Sequence, residues 1–440
     1  MKKVLILYAS YGGGHLSAAK SIQKYIEEHY QDVEVSNIDC MKYISNALEK
    51  LTTGAYREMA KKMPELWGKV YSNSQKGALG HLSSRANKFM AIKLKNLILH
   101  ENPDIVISTH PFSSQMVSYL KRKGKINVTL ATILTDFASH EQWLVGHEYT
   151  NYFFVSNENM RKELCDYGIE NSKINVTGIP MSDRFLEKFD KETIYNMFEL
   201  DKDKRVILFF GGGEFGLGKD RTIQILNSLI SNLPDYQIVA ISGKNEKMKT
   251  AFEETVQNLN AENRVKILGF TDKVPELMSI SYIVVTKPGG LTSTESLASH
   301  LPMIIINPIP GQEEQNAQFL ENHGAGVWIR KDANPDEIIK TLFSSDEKIN
   351  QMRNATKSLA KIHSTQHICQ TLLGWFSSNA CASAIVHRFC PSAEKKLPKV
   401  LFSSEVKFFE IVIAKILAIE TNSAPESSKK SIISSKKYRL

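Results

Sequence analysis

The sequence predicts two Rossmann-like, doubly wound α/β domains facing each other across a cleft, and three observations predict it. Short, wholly apolar runs of strand length recur along the chain, separated by stretches with helical spacing. In each half the first such run ends in a glycine turn: residues 4–7 lead into Ser10-Tyr11-Gly12-Gly13-Gly14-His15, and 205–210 into Gly211-Gly212-Gly213-Glu214-Phe215-Gly216. At 440 residues the chain exceeds one compact core, so a plan met twice means two domains.

In the first half, residues 17–28 have helical spacing, with Ala18, Ile22, Tyr25 and Ile26 on one face. Gly12 and Gly14 match the start of a dinucleotide fingerprint, and Asp39 follows a strand at 33–38, where a ribose-binding acid would stand. Ser17 in place of the third glycine and the His15 ring at the helix start argue against a nicotinamide dehydrogenase. Residues 40–100 read as helices and a loop; strands follow at 104–109, 128–134, 152–155 and 174–177. Thr135-Asp136 closes the strand at 128–134, which puts Asp136 on the same rim as His15. His140, Trp143 and His147 come next in a polar loop, and His110, beside Pro111, reads as structural or part of an entrance. Gly178-Ile179-Pro180 ends the first domain (1–189), and the charged stretch 190–204 reads as a linker.

In the second domain (205–376), strands at 205–210, 237–242, 265–268, 282–286 and 303–306 continue the plan. The stretch 281–316 carries the chemistry. A buried strand runs into Pro288-Gly289-Gly290, and the helix from Leu291 offers free backbone N–H groups and the Thr292 hydroxyl, an end that binds phosphate. One turn in, Glu295 reaches a ribose beside that phosphate. After the next strand a loop presents Gln312, Glu313, Glu314, Gln315 and Asn316, amides and carboxylates that suit sugar hydroxyls. An ordinary strand–helix–strand unit uses the same letters, but here each part falls at the carboxyl end of a strand, where open α/β sheets bind ligands. The pocket described is one for a nucleotide-sugar.

This stretch, with the opening ASYGGGHLSAAKSI, resembles the glycosyltransferases that make glycosyl diacylglycerols: bacterial diacylglycerol glucosyltransferases and plant monogalactosyldiacylglycerol synthases, relatives of the peptidoglycan N-acetylglucosaminyltransferase. The match runs from Met1 to about residue 365. It implies the GT-B glycosyltransferase fold and an inverting transfer of a hexose from a UDP-sugar to 1,2-diacylglycerol, giving a β-glycosyl lipid. Glucose is the expected sugar, because GIP at 178–180 and KPGGLT followed by PGQE look most like the bacterial glucosyl enzymes. The resemblance puts uracil against the backbone of Phe270 and Thr271, the ribose on Glu295, and the sugar on Gln312 and Glu313, the last departing from the two glutamines of the peptidoglycan relative. The leaving diphosphate is met by the helix from Leu291, by N–H groups near Gly289 and Gly290, and by Gly212 and Gly213 opposite, with Gly14 also on the donor side. A helix N-terminus carries about half a positive charge, so no metal or other cofactor is expected, and Asp201-Lys202-Asp203 reads as solvated charge rather than a metal-holding pair. His15 is the expected base, since a free imidazole titrates near pH 6.5, with Asp136 as rival or orienting partner. His140 and Trp143 border the acceptor entrance. The alternatives are a peptidoglycan-type transferase on a lipid-linked acceptor, a UDP-sugar 2-epimerase, and a non-catalytic UDP-sugar sensor.

Charge is unevenly spread. Of the net +8, residues 365–440 hold +6. Residues 42–95 hold a local +8, with Lys61, Lys62 and Lys69 set among aromatic and apolar residues such as Trp67, a mixture suited to anionic lipids of the inner membrane surface. A solvated helical face is the alternative, and without a recognition motif nucleic acid is not the expected partner. Five cysteines lack metal-site spacing, and no run reaches the roughly 18 apolar residues of a membrane span. A peripheral protein on the cytoplasmic face of the cell membrane is expected, with a basic extension at 377–440 of unknown role.

Overall fold

A computed structural model of the chain describes residues 1–9, 13–44, 83–211 and 218–374, with backbone alone for 83–90. Gly212, Gly213, Lys61, Lys62, Trp67, Lys69 and the extension at 377–440 lie outside the described residues.

The first sheet has six parallel strands: β1 (Lys2–Tyr8), β2 (Val33–Asp39), β3 (Ile105–Ser108), β4 (Thr129–Ile133), β5 (Tyr152–Val155) and β6 (Ile174–Val176), in the order β2-β1-β3-β4-β5-β6. The second has β7 (Val206–Phe210), β8 (Gln237–Ile241), β9 (Val265–Leu268), β10 (Ser281–Thr286), β11 (Met303–Ile305) and β12 (Gly326–Trp328), in the order β12-β11-β10-β7-β8-β9. The inner strands β1, β3 and β8 are buried along four or five consecutive residues, because helices cover both faces of a parallel sheet. Gly-Val-Trp of β12 is too short to leave a pattern, and no strand was expected there.

The stretch 190–204 is folded rather than a free linker. Asp190 caps the helix Lys191–Met197 by accepting from Thr193 N, and Ile194 and Phe198 are buried in one cluster with Val206 and Leu277. Two apolar anchors among the charges turn it into part of the second half. Asp203 N donates to Asp201 Oδ1 in an exposed turn.

Strand order reverses between β1 and β3 in one sheet and between β7 and β10 in the other, and such reversals open the crevices where ligands bind. The halves belong to one compact unit and share an apolar cluster to which the first contributes Ala18, Phe137 and Ile179, the second Val284, Leu291 and Leu297. Phe137 stacks on Phe319 at 5.2 Å between ring centres.

After the second sheet the chain returns. The helix Ser364–Leu373 packs on Gly13–His29 of the first half. Ser364 Oγ donates to the Ile179 carbonyl (2.7 Å), Thr365 Oγ1 to that of Met181 (3.0 Å), and the Tyr30 hydroxyl to that of Gly374 (3.0 Å). This contact requires Gly178, which has φ +91° and leaves only 2.4 Å between a built Cβ and the Lys361 Cβ. Among the described residues no helix is long and apolar enough to cross a membrane.

Candidate active site

Two helix N-termini meet across the cleft. The helix Gly13–His29 begins after β1, the helix Gly290–Ala298 after β10, and a Cβ built on Gly14 would lie 3.4 Å from Leu291 Cδ2. Gly290 touches the other half more closely still: its Cβ would fall 1.8 Å from the Thr135 carbonyl oxygen, so only glycine permits this approach. The N–H groups of a helix's first turn have no carbonyl partner within the helix, and they favour anions.

On the first half, His15 Nδ1 lies 2.7 Å from the Thr109 carbonyl oxygen and 3.1 Å from Thr135 Oγ1. The carbonyl accepts only from an N–H, so the proton sits on Nδ1 and Nε2 keeps the lone pair. Burial pulls the pKa of His15 down to about 4, against a smaller upward pull from the Thr109 carbonyl. The neutral ring is therefore a weak base. His110, not expected at the base, stands edge-on to His15 at 4.5 Å; its Nδ1 accepts from Phe112 N and caps the helix Pro111–Arg122. The signal for it in the sequence was position, directly after β3, the neighbour of β1.

Asp136 is 3% exposed. The expected pairing with His15 is absent: the Asp136 carboxylate accepts instead from Gln312 Nε2 (3.3 and 3.4 Å) and Asn316 Nδ2 (3.2 Å), both from the second half. Burial pushes its pKa up to about 6; the Asn316 amide pulls it back, Glu313 adds to the rise, and Gln312 opposes it. Trp143 is not at an open rim. Its indole is 1% exposed and packs with Leu134, Leu144 and Phe153, with its ring centre 6.5 Å from His15 and 5.9 Å from His140. His140 is buried too, which holds its pKa down at about 3.

On the second half, burial alone raises Glu295 to about 8, and among the described residues its carboxylate has neither hydrogen bond nor ion pair. Glu313 is fully engaged within its own half: Oε1 lies 3.2 Å from Lys287 Nζ, and Oε2 accepts from Ile309 N at 2.7 Å. The Phe270 side chain is 70% exposed with Lys244 5.2 Å from its ring centre, and Thr271 Oγ1 accepts from Lys273 N. The Thr292 carbonyl accepts from Ser296 Oγ inside the helix. No group of three or more His, Cys, Asp or Glu among the described residues is placed to hold a metal.

Comparison with known proteins adds sequence to this geometry. The sequence model for monogalactosyldiacylglycerol (MGDG) synthase matches residues 15–181, and that for the glycosyltransferase family 28 C-terminal domain matches 206–372. A processive diacylglycerol beta-glucosyltransferase of Bacillus thuringiensis (strain Al Hakam) is 33% identical over 381 residues, covering 84% of this chain and 93% of that protein. The chain belongs to the diacylglycerol glucosyltransferase family, within glycosyltransferase family 28.

Solved structures agree on the fold. MurG of Acinetobacter baumannii superposes with a TM-score of 0.58 at 15% identity over 85% of this chain and all of its own. The UDP-GlcNAc 2-epimerase of Neisseria meningitidis also gives 0.58, at 16% identity over 84% of this chain and 99% of its own. At such identities the likeness is one of fold, the GT-B arrangement, and a transferase and an epimerase score alike. What separates them for this member of family 28 is its sequence, which matches the diacylglycerol glucosyltransferases along both halves.

Proposed function

We propose that the protein transfers glucose from UDP-glucose to the free hydroxyl of 1,2-diacylglycerol, with inversion, forming β-glucosyl diacylglycerol. The observation that carries this is the close approach of the start of the Gly290–Ala298 helix to Thr135, next to the buried Asp136 carboxylate, with Glu295 one turn in and without a partner among the described residues. The choice of lipid acceptor and of glucose draws support from the relative's printed activity.

In this reading the uracil lies along the backbone of Phe270 and Thr271, Glu295 takes the ribose hydroxyls, and the first turn at Gly290 takes the diphosphate. Gln312 holds the sugar, and Glu313, tied to Lys287, shapes the loop beside it. The acceptor oxygen attacks C1 of the sugar while the bond from C1 to the phosphate oxygen breaks, and UDP departs with that electron pair. The acceptor proton passes to Asp136. A pKa of about 6 leaves Asp136 ionised at neutral pH yet basic enough to receive it, whereas a conjugate acid near 4 makes His15 the poorer base. The helix termini offset the charge of the leaving group, so the reaction needs no metal.

The test is transfer from UDP-glucose to diacylglycerol in anionic vesicles, with chelator present, followed across pH. Activity falling on the acid side near pH 6 supports Asp136; a limb near pH 4 returns the role to His15. Turnover of UDP-N-acetylglucosamine without any lipid product would favour the epimerase. Attachment to the cytoplasmic membrane face through Lys61, Lys62 and Lys69 predicts vesicle binding that weakens with salt; binding insensitive to salt would remove that part.

A further inference from the structure

The polar run that opens the helix Gln312–Asn322 includes Asn316, which reads from sequence as one more partner for sugar hydroxyls. The structure uses it differently. Asn316 is 0% exposed; its Nδ2 donates to Asp136 Oδ1 (3.2 Å) and to the Pro288 carbonyl (3.1 Å), and its Oδ1 accepts from Phe137 N (2.8 Å). Both N–H bonds of the amide and its carbonyl oxygen are occupied. One side chain thus joins the loop that leads into the Gly290–Ala298 helix to the segment after β4 that carries the Asp136 carboxylate.

The geometry points to Asn316 as a positioning residue: it holds the Asp136 carboxylate across the cleft, in register with the phosphate-binding loop. This rests on the reading of Asp136 as base. The amide acts in the needed direction, because a donor to the charged form favours that form. Opposing it is Glu313 on the same helix as Asn316, itself paired with Lys287 of the loop after β10; His15 and His140 of the first half are neutral above about pH 4. Gln312 supplies the second amide.

The experiment compares wild type with Asn316→Asp and Asn316→Ala in the vesicle assay across pH. Asn316→Asp keeps the shape and the bond from Phe137 N but sets two carboxyls in one place, so the acid limb should move up by about one unit or more. Asn316→Ala should move it up by less, and KM for UDP-glucose should stay within about threefold in both if the amide does not touch the sugar. A raised KM with an unmoved limb would make Asn316 a sugar ligand and overturn the inference, as would a wild-type profile in a folded variant. A second measurement needs no turnover: the thermal midpoints of Asn316→Ala, Asp136→Ala and the double variant. A held carboxylate gives non-additive losses, and additive ones overturn the clasp. If wild type transfers nothing to diacylglycerol from any UDP-sugar, the functional reading fails, while these midpoints still decide whether Asn316 holds Asp136.

Discussion

At the crevice between β1 and β3, the helix start lies among titratable side chains: His15, His110, His140 and Asp136. At the crevice between β7 and β10, the helix start is made of Gly289 and Gly290 with buried hydroxyls behind them, the Glu313 carboxylate beside Gly289 is tied to Lys287, and Glu295 stands a turn further in. The two crevices share one topology, and each supplies a helix N-terminus. The difference teaches that the fold provides the electrostatic floor on both sides, while the residues that follow each strand differ in kind; on the proposed function they divide the labour, proton transfer on one rim and charge and hydroxyl binding on the other.

The strongest way to break that division is Asp136→Asn, which keeps the shape of the first crevice and removes its carboxylate. Turnover should fall by about 10³-fold, within the range for loss of a general base, with UDP affinity held within about threefold. Calorimetry with UDP checks the second half of that statement, and a parallel loss of affinity would show that the crevices do not divide the work.

Gly290→Ala tests the seam between them. With no room for a Cβ beside the Thr135 carbonyl, the halves must part by an ångström or more, and a misplacement of that size costs about 10²-fold in kcat/KM. Small-angle scattering should show a larger radius of gyration. Unchanged scattering with unchanged activity would mean that the close approach is not part of the working state.

The smallest effect sharpens the second crevice. Glu295→Gln should weaken UDP binding by about tenfold, the loss expected for hydrogen bonds to a charged acceptor. The sign of its pH dependence also follows. A carboxyl held up at about 8 by burial is mostly protonated at neutral pH, and ribose hydroxyls donate best to the ionised form. UDP binding therefore releases a proton, and affinity climbs as pH rises towards 8. Calorimetry in two buffers of different ionisation heat measures that proton, which should vanish in Glu295→Gln.

Most of the architecture was legible because parallel strands covered on both faces read as unbroken apolar runs; the expected and observed bounds of β5 and β9 coincide. β12 escaped for want of length, and 190–204 misled because its charges outnumber Ile194 and Phe198, the two residues that anchor it. In the site, what the sequence carried was placement along the chain: Asp136 and Gly290 follow closely on β4 and β10, and His15 and Glu295 stand in the opening turns of the helices after β1 and β10. The bond between Asp136 and Asn316 was not legible, since two residues 180 apart are brought together only by the packing of one half on the other. Nor was the low pKa of His15, because burial belongs to the assembled cleft and not to the spacing of letters.

The returning helix Ser364–Leu373 has a mechanical meaning. A body hung from another by one strand can swing and twist; hung from two neighbouring strands it keeps little more than a single bending axis. The polypeptide crosses between the halves after β6 and again before Ser364, where Ser364, Thr365 and Tyr30 fasten the second crossing. Two crossings confine any opening of the cleft to a jaw-like motion, in which Gly290 parts from Thr135 and meets it again along one path.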